Sequence, residues 1–161
     1  MCFSSIIIAQ EKPQFKFKGL YSEKEIGFTY DIIQDHQGII WLAEDGLVKF
    51  DGIDSKTFIK SSVANSLLID DIYSLFLDSK GFIWIGYLGA GVSRFDPRTE
   101  KFLHFPSDRN LKDKALEIDK RYFANIINKT DQVNFPTEMI SNFAEDSQGN
   151  IWVATSEGLI K

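Results

Sequence analysis

One sentence is written three times in this chain. Residues 34–41, 77–84 and 145–152 each contain Asp-x-x-Gly-x-Ile-Trp, anchored at Asp35, Asp78 and Asp146, and all three tryptophans, Trp41, Trp84 and Trp152, fall in it. A repeat at fixed period determines architecture before local propensity does, because one supersecondary unit must then stack on copies of itself. Each tryptophan is followed by a second shared element, Gly46-Leu47-Val48-Lys49-Phe50-Asp51 in the first copy and Gly91-Val92-Ser93-Arg94-Phe95-Asp96 in the second. The third copy reads Gly158-Leu159-Ile160-Lys161. Each Asp is preceded by a short run rich in β-branched and aromatic residues, residues 28–33, 71–76 and 139–144, which reads as a strand.

A fourth element precedes these runs at residues 14–17, 56–59 and 101–105, where apolar and polar residues largely alternate. Phe15 to Trp41 and Phe58 to Trp84 are each 26 residues apart, whereas Phe102 to Trp152 is 50, so the third unit carries 24 extra residues. Four strands per unit at a period near 40 residues predict an all-β fold, a partial β-propeller of about three four-stranded blades. The units are 14–51, 56–96 and 101–161, within a propeller segment 14–161. The chain enters on an outer strand and then supplies three inner ones, the stagger by which propellers close. Three blades fall below the usual four to eight, so the expectation is a fragment of a longer propeller. The insertion, within residues 106–137, spaces Leu111, Ala115, Ile118, Tyr122 and Ile126 as one face of a short helix.

Composition narrows the function classes. A net charge of -5 disfavours a nucleic-acid partner, which requires a basic face. The single cysteine, Cys2, excludes an internal disulfide framework and a cysteine-based zinc site. No run of about 18 apolar residues is present, so no membrane-spanning helix is expected. Residues 1–10 read as the remnant of a secretory signal peptide ending at Ala9, although no basic residue precedes the apolar run. An extracytoplasmic, periplasmic location follows from that reading.

No catalytic constellation, metal site or cofactor motif is expected. His36 and His104 occupy different places in the repeat, and no nucleophile elbow or phosphate-binding glycine loop occurs. The recurrent aspartates occur once per unit, and calcium needs six or more oxygens together, so a turn-forming role is expected for them. The connections between the second and third strands, at 43–46, 86–91 and 154–158, share one face with the insertion. On that face Glu44, Asp45, Tyr87 and Glu157 are the candidate ligand contacts, since carboxylates and an aromatic ring suit a polyhydroxylated sugar.

The Gln34-to-Trp41 and Leu77-to-Trp84 stretches, each with its following Phe-Asp, resemble the two-component regulator propeller repeat. The resemblance covers about residues 14–161 apart from the insertion. It implies the periplasmic sensor region of a hybrid two-component system, with a seven-bladed propeller, an immunoglobulin-like domain, a membrane span and a cytoplasmic histidine kinase. It also implies an oligosaccharide ligand and no catalysis within this segment. The first copy departs with Leu42-Ala43 where the repeat has Ile-Gly then Thr, and the second has Tyr87 at that Thr. A propeller carbohydrate-active enzyme and a structural or protein-interaction propeller are the competing readings. Open blade edges would favour contact with further blades or self-association.

Overall fold

The computed structural model describes residues 28–63, 65–107 and 139–161. The leader-like segment, the strand expected at 14–17 and the helix expected in the insertion lie outside these residues. The described residues form eleven strands and no helix. The first sheet is β1 (Asp31–Gln34), β2 (Ile40–Glu44), β3 (Gly46–Phe50) and β4 (Ser55–Phe58), hydrogen-bonded in that order. The second is β5 (Ile72–Leu77), β6 (Ile83–Tyr87), β7 (Gly91–Asp96) and β8 (Lys101–Pro106). The third holds β9 (Ile140–Glu145), β10 (Ile151–Thr155) and β11 (Gly158–Ile160).

All pairings are antiparallel. The sheets are partial-propeller blades, and their membership follows the expected stagger. The strand that opens one sequence repeat, such as Lys56-Thr57-Phe58, forms the outer edge of the sheet begun by the previous repeat.

The three Asp-x-x-Gly turns are superimposable in their bonding. Asp35 Oδ1 accepts from the Gln37 and Ile39 amides, and Oδ2 accepts from Trp41 Nε1 at 2.9 Å. Asp78 repeats this with Lys80, Phe82 and Trp84 Nε1 at 2.9 Å. Asp146 repeats it with Gln148, Asn150 and Trp152 Nε1 at 3.0 Å. Gly38, Gly81 and Gly149 take φ values of 84°, 83° and 79°, which a side chain resists. The motif is therefore a covalently short loop whose carboxylate caps two amides and fixes the indole that starts the next strand. This is why Asp, Gly and Trp recur while the residues between them vary.

Two of the fixed indoles, Trp41 and Trp84, then fill the seams between sheets. Trp41, 1% exposed, packs on Phe58 of its own sheet and edge-on to Phe95 of the next, with centroids 6.2 and 5.4 Å away. Trp84 stacks on Phe105 of its own sheet at 5.9 Å and meets Phe143 of the third at 6.5 Å. Two apolar cores result, one in each seam, and Leu67, Leu68 and Ile69 of the connection into β5 join the first. Burying such side chains is worth roughly 1.5–3 kcal/mol each, and a core on each face of the second sheet leaves its central strands, β6 and β7, mostly buried.

The seams are also stitched by polar groups at matching places. Asp31 on β1 accepts from the Leu75 amide of the second sheet at 2.8 Å. Ser74, at the same position of β5, donates to the Ile140 carbonyl of the third at 2.8 Å. Gly86 lies opposite Ser74, and a Cβ there would collide with the Ser74 hydroxyl and the Ile140 side chain. At the Asp-x-x-Gly end of the second seam, the Ser79 amide and hydroxyl both donate to Glu145, each at 2.7 Å.

Candidate functional site

Strand direction puts the β2–β3, β6–β7 and β10–β11 turns at the end opposite the Asp-x-x-Gly turns, beside the connection that leads into β5 and beside Met139, which precedes β9. Backbone bonds tie turn to connection. Asp45 bridges Asp71, Leu88 bridges Met139, and the Gly46 amide donates to the Asp70 carbonyl at 2.9 Å. This loop end is thus a continuous surface, with one sheet's turn seated on the entry to the next sheet.

The four expected ligand contacts divide between that surface and the interior. Asp45 and Glu157 are exposed at turn tips of the first and third sheets. Glu44 ends β2 and is 8% exposed, and its carboxylate accepts from the Thr29 hydroxyl at 2.9 Å. Tyr87 ends β6 and is fully buried. The expectation of Tyr87 as a stacking platform is corrected by this burial, because no face of its ring reaches solvent. The position after the β6 glycine points into the blade, where the aromatic ring fills core volume. Glu44 is likewise drawn inward. The four residues stand on three different sheets and do not converge as a set.

Tyr87 instead heads a buried polar chain that was not evident from the sequence. Its hydroxyl donates to Ser93 Oγ at 3.0 Å, and Ser93 Oγ lies 2.6 Å from His104 Nδ1. Tyr87 also bonds the Leu68 backbone, and His104 bonds the Ser66 backbone. The bond to the Ser66 backbone favours the protonated ring, but burial outweighs it. Burial raises the Tyr87 phenol above its usual value and lowers His104 to about 4. The ring is held neutral, as an acceptor at one nitrogen and a donor at the other. The chain fastens residues 66–68 across the second sheet and so positions the loop end. The signal for it was the register that sets Ser93 opposite His104.

The Asp-x-x-Gly carboxylates are committed elsewhere. Each has both oxygens occupied by two amides and an indole, so they serve as turn braces. Asp146 is held well below the usual carboxylate range, first by the Asn150 side chain, then by the Trp152 indole and the Asn150 amide. In the first two units a second aspartate does the same for the next turn. Asp51 is lowered by the Asp54 and Ile53 amides, and Asp96 first by the Arg98 side chain. Among the described residues no group of three or more His, Cys, Asp or Glu is placed to hold a metal ion, and no helix is long and apolar enough to cross a membrane.

Comparison with known proteins agrees with the repeat geometry. The family model "Two component regulator propeller" matches residues 66–89 and 134–157. The first match runs from the connection into β5, through β5, the Asp-x-x-Gly turn and the tryptophan strand, to the next loop-end turn, and the described part of the second, from Met139, runs through the same elements. No curated protein matches the chain. Among solved structures, the extracellular domains of two proteins of B. thetaiotaomicron titled as hybrid two-component systems are similar. One is 19% identical with a TM-score of 0.48, covering 80% of this chain and 22% of that one. The other is 18% identical with a TM-score of 0.40, covering 82% and 23%. The chain spans less than a quarter of the length of either. The matched stretches, 66–89 and 134–157, are thus similar to the two-component regulator propeller repeat.

Proposed function

We propose that this chain is part of the extracytoplasmic sensor propeller of a two-component system, non-catalytic in itself, and that its loop end contacts an oligosaccharide. The observation that carries this reading is the repeat itself, matched twice to the two-component regulator propeller, with its recurring Asp and Trp consumed by scaffold bonds. Scaffold and recognition surface are thereby separated, as they are in folds whose rigid strands present loops. Asp45 and Glu157 are the exposed acceptors for sugar hydroxyls, whereas Glu44 and Tyr87 support the turns from beneath.

A panel of oligosaccharides screened by thermal unfolding tests this. A ligand that binds only the folded chain raises Tm saturably. Asp45→Asn and Glu157→Gln are expected to weaken that binding about tenfold, the size of a lost hydrogen bond to a charged group. A panel without any saturable shift, or one whose binding ignores both substitutions, contradicts the proposal.

A further inference from the structure

The two seams differ at the Asp-x-x-Gly end. In the second seam, Ser79 of one turn and Glu145 before the next are joined by two short hydrogen bonds. The same positions in the first seam hold His36 and Leu77, which cannot make that clamp. A cleft of about 250 Å³ opens there, and both residues line it. It is bounded by Lys49, Lys80 and Arg98 as well as by Asp35 and Trp41.

Its charge is opposite to that of the chain. Three cations face one carboxylate in the wall, in a chain of net charge -5. That carboxylate, Asp35, already accepts from two amides and an indole. Arg98 gives only its Nε to Asp96, at 3.0 Å, which leaves the end of the guanidinium for other acceptors. The Lys49 ammonium lies 5.8 Å from the Trp41 ring centroid. Lys80 occupies the turn position held by glutamine in the other two copies, Gln37 and Gln148. The cleft is smaller than the roughly 300–1,000 Å³ of sites for drug-sized ligands, so its occupant is a small group.

We propose that this cleft binds an oxyanion of sulfate or phosphate type, either free or borne on a sugar. Planar guanidinium and point-charge ammonium groups are the usual partners of such anions. The site lies at the end of the blades opposite the loop end, and it stands independently of the sugar-contact reading above.

The three indoles provide the test. Only Trp41 lines the cleft, and Trp84 and Trp152 are bonded to their aspartates in the same way. Sodium sulfate is titrated into the full chain against sodium chloride at equal, low ionic strength, following the three indole N–H resonances by NMR. Low salt matters because the Debye length falls to about 8 Å at physiological ionic strength. The expected result is a saturable shift of Trp41 alone, weakened about tenfold by Lys80→Gln. The double variant His36→Ser with Leu77→Glu, which transplants the clamp of the second seam, is expected to abolish it. Glucose 6-sulfate against inorganic sulfate separates the sources: tighter binding assigns a sugar-borne group, and equal binding the free anion. Parallel shifts of all three indoles, no shift, or a Trp41 shift unchanged in Lys80→Gln would overturn the proposal.

Discussion

The first and second seams are built from the same strand positions, yet they close differently. Both place a tryptophan between an aromatic of its own sheet and one of the next. Both carry a polar stitch from the first strand, Asp31 in one and Ser74 in the other. The first seam is closed at its outer edge, where Lys56 meets Glu100 at 2.6 Å and Asn65 bonds backbone groups of Glu100 and Phe102. It is open at the Asp-x-x-Gly end. The second is clamped at that end by Ser79 and Glu145. Repeated positions therefore make the blade, and the residues that differ between repeats decide which end of a seam is sealed.

That comparison is most severely tested by removing the indoles. Trp41→Ala should cost about 3–5 kcal/mol in urea unfolding, the usual range for a buried aromatic. Trp152→Ala should cost less than half as much, because Trp152 is only partly buried and has Lys161 over its ring at 5.2 Å. Equal losses would mean that seam packing is not what the repeat provides.

The buried chain of the second sheet gives the next effect. His104 has a folded value near 4, below its ordinary 6.5, because burial disfavours the charged ring. The unfolded chain therefore takes up a proton that the folded chain refuses between those values. Stability is full above about pH 6.5 and declines as pH falls toward 4, by about 3 kcal/mol in total. Unfolding measured across that window should show the slope, and His104→Gln should remove it. A flat profile in the wild-type chain would remove His104 from the buried network.

The smallest effect concerns the stitches. Gly86→Ala is expected to destabilise by about 1–3 kcal/mol through overpacking against Ser74 and Ile140. Position 43, its counterpart in the first sheet, already carries alanine beside Asp31. Ala43→Gly should cost only about 0.5–1 kcal/mol. If Gly86→Ala is harmless, the Ser74 hydroxyl does not approach the third sheet as closely as described.

Much of the fold could be read from residues alone, for a physical reason. A period set by Asp, Gly and Trp fixes turn, hairpin and seam together, so the strand order and the stagger of Lys56-Thr57-Phe58 into the preceding sheet followed from spacing. The site was less legible. Tyr87 reads as a loop residue because Gly86, Gly89 and Gly91 surround it, but loop composition does not report whether the last strand residue faces the core. The Tyr87–Ser93–His104 chain depends on cross-strand register, which a single sequence expresses only weakly. The basic cleft depends on the absence of a clamp, and it becomes apparent only when His36 and Leu77 are set against Ser79 and Glu145.

The central claim is that the recurrent aspartates brace turns and hold indoles rather than bind a ligand or metal. Asp78→Ala, unfolded in urea with and without calcium beside the wild-type chain, tests it most directly. Losing a charged acceptor for two amides and an indole should cost about 3 kcal/mol, and calcium should leave both chains unchanged. Near-wild-type stability of Asp78→Ala, or a calcium-dependent gain in the wild type that the substitution removes, would contradict the account.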